Sequence, residues 1–284
     1  MIVILYNSGN FGSTLEYCLH TYSTELEKVD WGLLDNGSMH GFIKESHLPR
    51  FKDFDLLDHH STKIITPVYP TLDYKTPSET LRIWQDKFTS HDRVVLVYGA
   101  TLDQIERTQL FLFHKQHQYL DNVMRNKAQS WNPKYQQWQD MARYELREAL
   151  SFLIDQQVEY LGIEQQVPDT WYKITPNDIL WNFESQVLNL LDHCKLTYNQ
   201  NSIDEFYQLW ISRQKYILDE FDCVLDIVDS VVSARYLEWN NLSIVGEAII
   251  QSRLRRQGIE LACYNLNNFP ANSSDLNKYL CVLK

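Results

Sequence analysis

The opening residues constrain this chain more than any others. Ile2-Val3-Ile4-Leu5-Tyr6 is an unbroken apolar run, followed by the turn Asn7-Ser8-Gly9-Asn10-Phe11-Gly12 and a helical stretch from Ser13 to Tyr22. An apolar run without alternation reads as a strand buried on both faces, the pattern of a parallel sheet. A helix that begins where such a strand ends has first-turn N–H groups with no partner inside the helix, and its dipole adds partial positive charge there. Gly9 and Gly12 let the backbone bend and approach a ligand closely. Ser13 and Thr14 add hydroxyl donors, so phosphate or sulfate is the natural guest of Ser8 to Thr14. The same residues also read as a plain turn in which Ser13 or Asn10 caps the helix.

The rest of the chain alternates strands with helices. Lys63 to Thr66 reads as a second strand, and Thr76-Pro77-Ser78-Glu79 as a helix start combining a capping box with a first-turn proline. Arg93 to Tyr98 is the next buried strand, broken by Gly99. Thr101 to Gln104 is a second capping box, predicting a helix that runs to about Lys127. Met141 to Leu153 has helical spacing, and Trp171 to Ile174 reads as a short strand. Further helices are predicted at 177–194, 203–221 and 242–257, with a last strand from Glu260 to Tyr264. Residues 23–61 read as irregular. The expected fold is a three-layer α/β/α arrangement with a mainly parallel sheet. The expected domain is a single one over 1–284, with a helical lid or insertion at about 102–160.

Charge and cysteine usage narrow the function class. A net charge of −11 repels nucleic acid and anionic membranes, so any anionic ligand must be held by local groups. The five cysteines form no CxxC and sit in apolar stretches, which reads as reduced core cysteine. No basic leader and no long apolar run occur, so the expected compartment is the cytoplasm.

The turn is neither a Walker A loop, which needs GxxxxGK[ST], nor the GxGxxG of dinucleotide sites. Ser8-Gly9-Asn10-Phe11-Gly12-Ser13-Thr14-Leu15 instead resembles the 5′-phosphosulfate loop of the sulfotransferase family, in its Gly-Ser-Thr-Leu form. The resemblance implies a P-loop-like fold and 3′-phosphoadenosine 5′-phosphosulfate as co-substrate. It implies transfer of a sulfuryl group to a hydroxyl of a small molecule or glycan, without a metal. Ser8, Gly9, Asn10, Phe11, Gly12, Ser13 and Thr14 would then hold the phosphosulfate. Arg253-Leu254-Arg255-Arg256-Gln257-Gly258 is similar to the family's C-terminal Arg-Lys-Gly element, which makes Arg255 and Arg256 candidate nucleotide contacts. Asn10 stands where the family carries a cation, and the strand ending at Tyr98-Gly99 lacks the family's strand-end Arg.

His59 and His60 are the candidate bases, because imidazole titrates near neutrality; they also read as an ordinary polar loop pair. His114 and His117 are spaced as half a metal site, but a solvated helix face explains them. Arg143 and Arg147 read as partners in ion pairs along their helix. Arg253, Arg255 and Arg256 also read as cations at a helix C-terminus before Gly258. Two other readings stand beside the sulfotransferase one: a non-catalytic anion- or nucleotide-binding module of the same fold, and an atypical nucleotide or metabolite kinase.

Overall fold

The computed structural model describes residues 1–6, 11–28, 31–33, 39–41, 64–65, 77–115, 143–199, 203–233, 242–261 and 280–282. They form two compact units. The first comprises Met1–Thr108 and Glu159–Gln214, the second Gln109–Val158 and Lys215–Lys284.

The first unit is α/β. Its sheet is parallel, in the order β4-β1-β5-β6, with β1 at Ile2–Tyr6, β4 at Ile64–Ile65, β5 at Arg93–Val97 and β6 at Tyr172–Ile174. β1 and β5 are buried along nearly their whole length, which explains why both lack alternation. Met1, Val3, Leu5, Val94 and Leu96 pack with Leu81 and Trp84 of helix α2 (Pro77–Gln85) and with Ile105 of helix α3 (Leu102–Lys115). Tyr160, Ile163, Val167 and Trp171, from two short 3-10 turns and the segment after them, complete that cluster. Helix α1 (Gly12–Tyr22) buries Leu15, Cys18 and Leu19. α1 packs on β1 and on a later helix, α6 (Phe183–His193). A short antiparallel hairpin, β2 (Trp31–Leu33) with β3 (Met39–Gly41), stands where an irregular segment was expected.

The C-terminal end of α1 is closed by a lysine. Lys28 Nζ donates to the carbonyls of His20, Thr21 and Ser23 at 3.1, 2.6 and 2.8 Å. The His20 ring meets the Glu27 carbonyl at 2.8 Å. A cation there complements the negative end of the helix dipole.

Two long helices expected from the sequence are broken in the structure. The stretch 177–194 divides into α5 (Pro176–Trp181) and α6, because Asn182 leaves helical geometry at φ −127° and ψ 34°. The stretch 203–221 divides into α7 (Ile203–Ser212) and α8 (Lys215–Val232).

The second unit is mainly helical: α4 (Arg143–Gln157), α8 and α9 (Ile244–Arg256), plus an antiparallel pair of β7 (Ile259–Leu261) with β8 (Leu280–Val282). α9 packs on both α4 and α8 and is buried around most of its circumference. Its N-terminus is capped by Ser243, whose Oγ accepts from the Gly246 N–H at 3.1 Å and donates to Glu220 of α8 at 2.6 Å. Among the described residues no helix is long and apolar enough to cross a membrane.

Candidate functional site

The register of the sheet levels three strand ends. Tyr6 pairs with Val97, and Val97 pairs with Ile174. The helices that follow these strands, α1, α3 and α5, therefore begin along one carboxyl edge, where open parallel sheets collect ligands.

Two of the three helix starts satisfy themselves. At α3 the Gln104 N–H reaches Thr101 Oγ1 at 3.3 Å, and the Ala100 N–H is taken by Gln104 Oε1 at 2.8 Å. The expected capping box is present in a shifted form, with the return bond one residue earlier. At α5 the box is complete. Asp178 N–H donates to Thr175 Oγ1 at 3.2 Å, and Asp178 Oδ2 accepts from the Thr175 N–H and hydroxyl at 3.0 and 2.6 Å.

α1 differs. Its N-cap residue is Phe11, neither Ser13 nor Asn10, and it provides no side-chain cap. Phe11 adopts the left-handed conformation at φ 63°, which costs roughly 1–2 kcal/mol for a residue with a Cβ. Its ring is buried and meets Trp210 of α7 edge-on, centroids 5.2 Å apart. Burying a phenyl ring contributes about 1.5–3 kcal/mol, enough to offset the backbone cost.

Gly12 is required for a steric reason. A Cβ there would lie 2.2–2.5 Å from three carbons of the Tyr6 ring. Tyr6, at the end of β1, thus lies flat against the first helical residue. Burial, and to a lesser degree the nearby Glu16, push its phenol up to about 12, against a smaller lowering from the Ser13 side chain. Thr14 is 3% exposed. Thr14 therefore faces inward. Ser8, Gly9 and Asn10 lie outside the described residues, as do His59, His60 and His117.

Further along the edge, Arg107 Nη1 donates to Asn177 Oδ1 at 2.6 Å, tying α3 to the first turn of α5. Tyr98, just past β5, has its phenol raised by burial and then by Glu164 and Asp178. Neither Tyr6 nor Tyr98 was expected from the sequence. The one available signal for Tyr6 was a glycine at the helix start close behind an aromatic strand end.

Arg255 and Arg256 belong to the second unit. Arg255 bonds Asp155 at 2.8 Å and Ser151 at 2.9 Å, approaches Glu148 at 3.5 Å, and lies over the Phe152 ring at 4.4 Å. Arg256 bonds Asp155 at 2.9 Å and Ser252 at 2.6 Å. Gly258 follows α9 in the left-handed conformation, φ 75°, with its N–H on the Arg255 carbonyl at 2.9 Å. Charge pairing with α4 and helix termination thus account for both arginines. Arg147, expected as a partner in ion pairs along its helix, is 1% exposed. Among the described residues no group of three or more His, Cys, Asp or Glu is arranged to hold a metal ion.

Compared with models of protein families, with curated proteins and with solved structures, the chain matches none.

Proposed function

We propose that the β1–α1 turn binds the phosphate end of a nucleotide. On this proposal the chain is a sulfotransferase-type protein of P-loop-like, three-layer build, taking 3′-phosphoadenosine 5′-phosphosulfate as co-substrate. The observation that carries the reading is the contrast along the carboxyl edge: α3 and α5 cap themselves, and α1, after the strand flanked by β4 and β5, has no side-chain cap among the described residues. The amides of Gly12, Ser13 and Thr14 would receive the 5′-phosphosulfate oxygens. The Tyr6–Gly12 contact would hold the first turn of α1 in place before ligand arrives. The acceptor would be a hydroxyl of a small molecule or glycan, and His59 or His60 the base that takes its proton.

A second reading has its own support. Asn10 puts an amide where the resembling family puts a cation, and an uncharged donor stabilises a leaving phosphate less. On that reading the turn binds the anion without turning it over.

Calorimetry with adenosine 3′,5′-bisphosphate tests the anion site, and a sulfuryl-transfer assay separates the two readings. Micromolar binding, abolished by Gly12→Asp in a protein that still unfolds cooperatively, is expected from both. Sulfuryl transfer to a hydroxyl acceptor panel is expected only from the first. Absence of binding to the bisphosphate, ATP and inorganic sulfate would overturn the anion site itself.

A further inference from the structure

We infer that the solvent face of α5 is the acceptor site and that its acceptor is a neutral glycan, one sugar ring resting on the exposed Trp181 indole with its hydroxyls on Asn177 and Asp178. The role as acceptor site rests on the reading of the β1–α1 turn as the nucleotide site.

Burial divides α5 into two faces. Pro176, Ile179 and Leu180 are buried, whereas Asn177, Asp178 and Trp181 are not. At about 100° per residue, Trp181 projects between Asn177 and Asp178, one turn further along the helix. Helical Cα–Cβ bonds tilt toward the N-terminus, so the patch that Trp181 covers lies over the turn carrying those two residues. Trp181 is 56% exposed, more than any other large apolar side chain among the described residues. Its place is fixed rather than frayed. The Leu180 carbonyl beside it accepts from the Tyr207 hydroxyl of α7, and the Asn182 N–H closes onto the Asp178 carbonyl at 2.9 Å.

The polar groups on this face complete the pattern. Asn177 Oδ1 accepts from Arg107 at 2.6 Å. A guanidinium can only donate, so the amide group of Asn177 is oriented and its NH2 keeps hydrogens to give. Asp178 takes both Thr175 donors with Oδ2, and Oδ1 has no hydrogen bond among the described residues. An amide donor and a carboxylate acceptor on adjacent residues suit two neighbouring hydroxyls, each of which gives and takes a hydrogen bond. The C–H face of a sugar ring is flat and apolar, which suits the face of an indole. Charge selects an uncharged ring: Arg107 is turned onto Asn177, while Asp178 and the exposed Glu184 stand on either side of Trp181 in the chain. A protein partner would need an apolar patch of about 800 Å². Asn182, Glu184 and Ser185, which follow Trp181, are instead polar and exposed.

The face lies within reach of the anion site. β1 and β6 are two strand positions apart in the sheet, roughly 10 Å, and their ends are level. α5 adds about 9 Å from the carboxyl edge to Trp181. A glycan of two or three rings lying along α5 therefore spans the gap to the first turn of α1.

NMR of the indole N–H groups in the full chain tests this with three neutral trisaccharides, cellotriose, maltotriose and chitotriose, and with p-nitrophenol as a planar small-molecule acceptor. Trp181→Phe identifies the Trp181 signal by its loss. At least one trisaccharide should shift that signal saturably in the wild type. Trp181→Ala, at an exposed position, should unfold as cooperatively as the wild type yet bind that trisaccharide about tenfold or more weakly, as read from saturation transfer to the sugar. A Trp181 signal that no trisaccharide moves, a response to p-nitrophenol alone, or equal affinity in Trp181→Ala overturns the inference. Adenosine 3′,5′-bisphosphate titrated alongside distinguishes the two proposals. Bisphosphate binding without a sugar response removes the acceptor site and leaves the nucleotide reading. A sugar response without bisphosphate binding removes the nucleotide reading and the acceptor role with it, and leaves α5 as a sugar-binding face.

Discussion

The contact between Tyr6 and Gly12 makes a prediction in which the sign of a mutation depends on its neighbour. A methyl added at Gly12 would stand 2.2–2.5 Å from three ring carbons, where ordinary carbon contacts lie at about 3.5–4.0 Å. The ring must retreat by more than an ångström, and it is half-buried at the end of β1. Overpacking of this kind costs about 1–3 kcal/mol. The same substitution gains up to about 1 kcal/mol from helix propensity, since alanine is preferred to glycine. Gly12 is not in a positive-φ conformation, so the backbone raises no further objection. In the wild-type background Gly12→Ala should therefore destabilise by about 1–2 kcal/mol. In a Tyr6→Ala background, with the ring gone, it should be neutral or stabilising by about 0.5–1 kcal/mol. The double-mutant cycle isolates a coupling of about 1–3 kcal/mol, above the scatter for independent sites. Thermal unfolding resolves it, at about 2–4 °C per kcal/mol for a chain of this size. Equal costs in both backgrounds would refute the reasoning, and would mean that the turn needs glycine for reasons unconnected with the ring.

Phe11 should invert the usual order of truncations: Phe11→Gly relieves the left-handed strain and Phe11→Ala does not, so the glycine variant should be more stable by about 1 kcal/mol in urea unfolding. Asp155 accepts from Arg255, Arg256 and Ser252, so Asp155→Ala should cost about 1.5–3 kcal/mol, while Arg256→Ala, which leaves Arg255 in place, should cost less than half as much by the same assay. Cys18 and Cys194 have thiols pushed far up by burial, that of Cys194 to about 12. Both should resist a thiol-specific reagent at pH 8 in the native protein and react once it is unfolded, as read by mass spectrometry; rapid native labelling of Cys18 would contradict the packing of α1.

Much of the α/β unit could be read from the residues alone, because its central strands are buried on both faces and that burial is written as consecutive apolar residues at Ile2–Tyr6 and Arg93–Val97. The start of α2 was visible in Pro77 and that of α3 in Thr101 and Gln104. Helix ends were less visible. α8 runs to Val232 through Val224, Ile227, Val228 and Val231, β-branched residues with modest helix propensity that are buried at helical spacing, so tertiary packing decides there. The candidate site was half legible. That Gly12 matters could be read from a glycine at a helix start. Why it matters could not, because the ring that crowds it comes from Tyr6, and no sequence pattern says which way a strand-end tyrosine faces. The ion pairs from Asp155 and Glu148 to Arg255 span about a hundred positions, beyond any local spacing rule.

Lys28 has a practical consequence for handling the protein. It is exposed on the loop after α1, the kind of place where trypsin first nicks a folded chain. Yet its ammonium is turned back onto three carbonyls, and the Ser23 hydroxyl holds the Glu25 N–H at 3.0 Å inside the same loop. The Thr24 N–H also pairs with the Thr197 carbonyl at 2.9 Å. A protease must extend the backbone and swallow the lysine side chain, and here both are already in use. The bond after Lys28 should thus survive limited digestion that cleaves other exposed lysines, and its first appearance among the fragments would mark the moment α1 lets go of the sheet.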